Sequence, residues 1–456
     1  MLINKLDNVE VNVDTGHKYA VCDIKKGENI IKYGMPIGHA TEDIKKGDHV
    51  HTHNLETNLS GKMEYSYDPI LYSSIQADGD ETFMGYIREN GDVGIRNDIW
   101  IVNTVGCVNK TAQILAEKTG AKYFPHPFGC SQLGDDQEIT QKILKGMVNH
   151  PNAGGVLVLG LGCENNNISV FKEVLGSWDE NRVKFLNAQE FDDEIEKGIE
   201  LIEELKKNAQ KYERKPVHIS KLKVGLKCGG SDGFSGITAN PLVGRFCDKL
   251  TSMGGSCVLT EVPEMFGAET LLMQRCKDKE VFDKTVKLIN NFKDYYTRHN
   301  QVIYENPSPG NKNGGITTLE EKSLGCVQKG GLSTVVDVLD YGDTVTEPGL
   351  SLLKGPGNDI VAVTNLMAAG AHLILFTTGR GTPLGGPVPT VKIATNKELA
   401  TKKKNWIDFD ASPLINNIDL TDDLLNFVIG IADGAKTKNE VNGYEEISIF
   451  KDGVTL

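Results

Sequence analysis

The sequence predicts a mixed fold: a small N-terminal all-β module followed by a large α/β region built of two α/β subdomains with parallel sheets. Three observations predict it. Residues 1–60 carry short apolar runs broken by turn formers, with no helical period. From residue 83, continuous apolar segments alternate with amphipathic ones, the pattern of buried parallel strands joined by helices. At 456 residues the chain is also too long for one compact core.

In the first module, "DIKKGENI" (23–30) is repeated as "DIKKGDHV" (43–50). Two similar hairpin turns are expected, with Gly27 and Gly47 supplying positive φ. The second copy runs into "HTHN", so His49, His51 and His53 fall within five positions. On a strand all three share one face. His49 stands where the first copy has Asn29, so the repeat accounts for it. His51 and His53 lie beyond the repeat and are expected to face the large region.

Residues 61–82 hold turn formers without a sustained period and read as a linker. The first α/β subdomain is expected over 83–215. "DIWIVN" (98–103) and "GGVLVLG" (154–160) read as buried strands. "TAQILAEKTG" reads as a helix closed by Gly120. Residues 192–215, acidic early and basic late, read as one long surface helix. The second subdomain is expected over 216–456, where "KLKVGLKC" and "HLILFTT" both run into glycine-rich loops. In open α/β sheets ligands sit beyond the carboxyl ends of the strands.

The net charge of −13 argues against a nucleic-acid binder, which needs a basic face. It gives an anionic substrate no long-range steering, so recognition of an acid has to be local. No apolar run reaches the ~20 residues of a membrane span, and the N-terminus lacks an apolar signal core. A cytoplasmic protein is expected. Nine cysteines, several beside glycine, then read as thiols, ligands or packing residues rather than disulfides.

Several loops carry chemistry. "HPFGCSQLGDD" (126–136) offers His126 and Cys130, with Asp135 and Asp136 suited to cap the next helix. "GLGCENN" (160–166) places Cys163 and Glu164 at a strand mouth. "KCGGSDGFSGITANP" (227–241) lacks both the phosphate loop and the dinucleotide fingerprint, but its Ser231, Asp232 and Asn240 suit carboxylates or hydroxyls. Arg380, between two glycines after an apolar run, suits bidentate carboxylate recognition. No serine-hydrolase elbow and no H-E-x-x-H is present.

Long motifs in order resemble the altronate/galactarate dehydratase family: "HVHTHN" (49–54), "GCSQLGDD" (129–136), "CGGSDGFSGITANP" (228–241), "EVPEMFGAE" (261–269), "NPSPGNKNGGITTLEEKSLGC" (306–326) and "FTTGRGTP" (376–383). The resemblance spans nearly the whole chain and leans towards the altronate branch. It implies an N-terminal SAF-type (β-clip) domain and a large dehydratase region. The activity implied is loss of water from D-altronate, giving 2-dehydro-3-deoxy-D-gluconate, with a divalent metal, typically iron(II), or else manganese(II).

That chemistry removes a proton α to a carboxylate and expels the C3 hydroxyl, so it needs a base, an acid and a carboxylate clamp. His51, His53, His126, Cys130 and Glu164 are the candidate metal ligands. His53, Lys392 and Lys322 are the catalytic candidates, the base lying between His53 and Lys392. Arg380, or less favourably Arg96 or Lys322, holds the carboxylate, and Ser231, Asp232, Asn240 and Asn311 read hydroxyls. An iron–sulfur cluster on Cys107, Cys130, Cys163 and Cys228 is the less favoured alternative, because their spacing contains no compact C-x₂-C run. Other substrates kept open are galactarate and a 2-hydroxy-3-sulfonate, and a sugar-acid-binding regulator is the non-enzyme reading. The expected partner is a small anionic sugar acid, with no nucleic acid and no membrane. Edge strands of the β module could support a homo-oligomer.

Overall fold

A computed structural model describes residues 1–70 and 79–456, so part of the expected linker lies outside the described residues. The N-terminal module is two three-stranded antiparallel sheets. One has the order Val9–Val11, Lys18–Ala20, His49–Val50, the other Asn29–Lys32, Met35–Ala40, Leu55–Glu56. The repeat forms a reciprocal pair. Ile24 bridges Ile44, the Lys26 N–H donates to Asp43, and the Lys46 N–H donates to Asp23, both at 3.0 Å. Gly27 and Gly47 have φ of 84° and 91°, as the turn reading requires.

The next unit holds a four-stranded parallel sheet in the order Lys122–Tyr123, Asp98–Asn103, Ala153–Gly160, Val183–Asn187. Ala153–Gly160 is buried at all eight positions. The helix Asn109–Thr119 ends on Gly120 in the left-handed region, at φ 73°. Two expectations are corrected. The long surface helix stops at Ala209, and Arg214–His218 pairs antiparallel with Thr82–Ile87 as a strand. Pro216 cannot continue a helix but is tolerated in an edge strand, since it needs no ladder donor there. Asp135 and Asp136 are acids of the first turn of Asp135–Asn149, as expected, but Gly134 and neither aspartate is the N-cap, and the Asp136 carboxylate accepts the N–H groups of Asp452 and Gly453.

The last unit is a seven-stranded sheet, parallel throughout. Its order is Val335–Leu339, Gly349–Leu353, Ser256–Leu259, Lys223–Cys228, Leu373–Thr378, Thr390–Ala394, Phe409–Asp410. The chain enters at the central strand Lys223–Cys228 and builds outward on both sides, so a switch in strand order opens beyond Cys228. Apolar residues of the β module, among them Val9, Ile24 and Ile37, share one core with Val224, Phe246 and Leu319 of this unit. The β module is thereby held against the seven-stranded unit.

Candidate active site at the seam of the β module and the seven-stranded sheet

One helix organises the seam. Leu319–Cys326 is buried at all eight positions although it carries Glu320, Glu321 and Lys322. Buried charges persist only when paired, and each has partners. Glu320 accepts from Thr57 and from the Asn58 N–H. Glu321 takes the ammonium groups of Lys18 at 2.8 Å and Lys32 at 2.7 Å, both from the β module. Burial pushes the Glu321 carboxyl up, but the two ammonium groups outweigh it and hold the group at about 2. Burial, opposed by Glu321 and aided by Lys32, brings Lys18 down to about 8.

Above this ion triad four imidazoles gather. His17 Nδ1 is 3.0 Å from His49 Nε2, and the His49 ring stacks on His53 with centroids 5.7 Å apart. The strand stops at Val50, and Asn54 closes a turn on the His51 N–H. His51 therefore leaves the strand face and reaches the large region, where its Nδ1 lies 2.8 Å from Thr317 Oγ1. Lys18 Nζ donates to that same hydroxyl at 2.5 Å. Because the ammonium is a donor only, the hydroxyl hydrogen stays available to His51 Nδ1, and donation there leaves the ring proton on Nε2. Burial lowers His51 to about 4, so the ring is neutral at ordinary pH.

At the other end of the helix lies a thiol–carboxylate triad. Cys228 and Cys326 Sγ are 3.3 Å apart, and each is 3.1 Å from Glu264 Oε2. Lys322 Nζ reaches Glu264 Oε1 at 2.8 Å and also approaches Asn306 and Asn311. Glu261, in the left-handed region at φ 69°, pairs with Lys227 and Lys329. Burial pushes Glu264 up, and the ammonium groups of Lys322, Lys227 and Lys329 override it and hold the carboxyl low. Among the described residues, Cys228, Glu264 and Cys326 are the group whose donor atoms converge within 4.8 Å. Two soft thiolates and one carboxylate fit a divalent transition ion, and three protein ligands leave a position open.

The loop 229–236 joins the two centres. Gly233 packs on the Gly16 carbonyl beside His17, and the Arg380 Cβ lies 3.2 Å from where a Gly230 Cβ would stand. Ser231 Oγ is buried with no hydrogen-bond partner, and the Arg380 side chain is exposed. Asn311 donates to the Ser231 carbonyl at 2.8 Å. Asp232 and Asn240 build the loop instead of facing a ligand. Asp232 accepts from Thr395, Asn396 and Ser235, and Asn240 bridges Thr377 and the Gly325 carbonyl. Lys392, lowered by burial to about 8, donates to the Thr382 and Leu384 carbonyls.

Four expected residues lie away from the seam. Arg96 pairs with Glu440 through two nitrogens, at 2.7 and 3.0 Å. His126 is spent on backbone: Nε2 donates to the Asn103 carbonyl and Nδ1 accepts the Phe128 N–H. Glu164 accepts from Thr104 and from the N–H groups of Leu161 and Gly162. Cys130 is exposed on the four-stranded unit. A cavity of about 1000 Å³ opens at the opposite, amino-terminal edges of both parallel sheets, bounded by Arg88, Arg182 and Lys223. It holds none of the expected site residues.

Sequence reasoning missed His17, Lys18, Thr317, Glu321 and the Cys326 ligand position. The one local signal was Lys18, an ionic residue two positions before buried Ala20 on the inward face of a short strand.

Comparison with known proteins accounts for this architecture. Residues 3–58 match the altronate/galactarate dehydratase SAF domain, 85–210 the D-galactarate dehydratase/altronate hydrolase second domain, and 219–455 the D-galactarate/altronate dehydratase C-terminal domain. An altronate dehydratase of Escherichia coli (strain K12) is 54% identical over 99% of this chain and 94% of its own. One from Bacillus subtilis (strain 168) is 53% identical over 98% and 93%. The chain belongs to the altronate/galactarate dehydratase family. A galactarate dehydratase (L-threo-forming) of E. coli K12 is more distant, at 31% over 93% of this chain and 87% of its own. The two antiparallel sheets of the β module are thus the family's SAF domain, and this dehydratase-family chain is an enzyme. Among its described residues no helix is long and apolar enough to cross a membrane.

Proposed function

We propose that the chain dehydrates D-altronate to 2-dehydro-3-deoxy-D-gluconate at the seam. The observation that supports this most is the exposed Arg380 guanidinium and the unpartnered Ser231 hydroxyl on loops beside the histidine cluster. They offer a sugar acid one cationic and one neutral hydrogen-bonding group at a switch in strand order. Altronate is favoured over galactarate because the altronate relatives share over half of the residues and the galactarate relative under a third.

In this reading Arg380 holds the C1 carboxylate and Ser231 orients a hydroxyl. His53, exposed at the end of the cluster, takes the C2 proton. His51, with Nδ1 accepting from Thr317, donates a hydrogen bond from Nε2–H to the C3 hydroxyl, which departs as water with the proton that His53 took from C2. The resulting enol becomes the 2-ketone by taking a solvent proton at C3. Cys228, Glu264 and Cys326 would hold a divalent ion, for which iron(II) suits the thiolates, and such an ion supplies Lewis-acid stabilisation of developing oxyanion charge.

The test is an assay of altronate, galactarate and sulfolactate side by side. Formation of 2-keto acid from altronate at the highest kcat/KM is expected. Turnover of another acid with none of altronate refutes the substrate assignment.

A further inference from the structure

Three Gly–Cys pairs stand beyond the carboxyl ends of three adjacent strands of the four-stranded sheet. Gly106–Cys107 follows Asp98–Asn103, Gly129–Cys130 follows Lys122–Tyr123, and Gly162–Cys163 follows Ala153–Gly160. In sequence, 22 and 32 residues separate the cysteines. In the fold their loops lock together. The Gly106 N–H donates to the Phe128 carbonyl at 2.9 Å, the Asn166 N–H to the Gly129 carbonyl at 3.0 Å, and Thr104 Oγ1 to Glu164 Oε1 at 2.6 Å. Two of the glycines are the contact points. A Cβ on Gly129 would come within 1.9 Å of the Thr104 carbonyl oxygen, and one on Gly106 within 2.7 Å of the His126 oxygen. Cys107 and Cys130 therefore each follow a glycine at which one loop meets its neighbour's backbone, and Cys163 follows Gly162, which packs on the Gln189 side chain.

All three thiols are exposed and unpaired, as is Cys22 in the β module, whereas Cys228, Cys247, Cys257, Cys276 and Cys326 are buried. Packing does not explain three exposed thiols on one sheet edge. Their contacts are weak: Cys163 Sγ lies 3.6 Å from Gln189 Nε2 and Cys130 Sγ 3.8 Å from Ser131 Oγ. His126 and Glu164 spend their polar atoms on fixing these loops. The three sulfurs do not form a group whose donor atoms all lie within 4.8 Å of one another, as those of the Cys228 triad do. A cluster whose thiolates attach to separate irons spans a wider gap, and thiolate donors select such clusters.

We propose that Cys107, Cys130 and Cys163 hold a [4Fe–4S] cluster whose fourth iron has no cysteine ligand and is open to a carboxylate or hydroxyl oxygen. Each thiol replaces one thiolate of a preformed, thiol-carried cluster, and its proton leaves on the displaced thiolate as a free thiol, so the cluster is taken up without change of oxidation state. This centre is separate from the Cys228 triad and does not depend on altronate being the substrate.

The test is anaerobic incubation of the full chain with a preformed [4Fe–4S]²⁺ cluster ligated by a small-molecule thiol, followed by desalting. About four irons and four acid-labile sulfides per chain are expected, with broad visible absorption. Mild oxidation is expected to yield the paramagnetic signal of a three-iron cluster, because one iron lacks a thiolate. Cys107→Ser, Cys130→Ser and Cys163→Ser lose the sulfide and the absorption, while Cys228→Ser and Cys326→Ser keep both. Where a serine variant fails to fold, alkylation of the reconstituted native chain gives the same answer: Cys107, Cys130 and Cys163 are protected, and removal of the cluster exposes them. Absence of retained sulfide in the native chain, its retention in the Cys130→Ser protein, or equal alkylation with and without cluster overturns the proposal.

Discussion

The Thr317 hydroxyl stands 2.8 Å from His51 Nδ1 and 2.5 Å from Lys18 Nζ, and so links the imidazole to the buried ion triad on Glu321. The link is a tautomer constraint. Thr317→Ser keeps the hydroxyl and is expected to keep turnover. Thr317→Val removes the donor to Nδ1 and frees the ring to exchange tautomers. Nitrogen chemical shifts of His51 report this directly, with Nε2 protonated in the native and Ser proteins and a mixture in the Val protein. Identical shifts in all three contradict the relay.

The triad beneath it is a stability element. Glu321→Gln leaves Lys18 and Lys32 buried without their shared carboxylate. A loss of about 3–5 kcal/mol in unfolding free energy is expected, because removing one member of a buried pair strands the other charge. Urea unfolding measures it. A loss below about 1 kcal/mol, the range of exposed pairs, would contradict the burial argument.

Acid sensitivity follows from imidazoles held neutral. Burial lowers His150 to about 3 and His51 to about 4. The unfolded chain protonates histidine near pH ~6.5. Between that pH and the folded values the unfolded state binds more protons, so stability falls as pH falls. The urea midpoint should drop from about pH 7 to about pH 4.5, and His150→Gln should flatten the slope. An unchanged slope in that variant assigns the acid lability elsewhere.

The exposed guanidinium of Arg380 is expected to act on substrate and not on the fold. Arg380→Gln should lower kcat/KM by about 10- to 100-fold, the scale of a lost charged hydrogen bond, with an unaltered melting curve. Arg380→Lys should recover only part of it, because an ammonium cannot make the planar two-point contact. Full activity in the Gln protein removes Arg380 from the site.

The fold was legible where local physics decides it. Gly27, Gly47 and Gly120 mark turns and a helix end by conformational demand, and the apolar run Ala153–Gly160 requires burial on both faces. The site was less legible because its ligands are assembled across the chain. His51 and Thr317 are separated by 266 positions, and Cys228 and Cys326 by 98. His126 and Glu164 resemble ligands by residue type, but type alone does not reveal that backbone groups use up their lone pairs. The helix 192–215 was overextended because charge and period continue past the point where Pro216 and strand pairing take over.

Replacing His53 with Ala is expected to cut turnover by about 10²–10⁴-fold, the range of a lost general base, while leaving the exposed position without structural cost. Activity and circular dichroism of the same preparation separate the two effects. Full activity returns "HTHN" to an ordinary turn.

The most direct measurement follows altronate with the native protein in deuterium oxide by nuclear magnetic resonance, under anaerobic conditions with iron(II). Elimination across C2 and C3 through an enol predicts a single product, 2-dehydro-3-deoxy-D-gluconate, carrying one solvent deuterium at C3. Altronate left intact while another sugar acid is consumed, or a product without solvent deuterium at C3, contradicts the account.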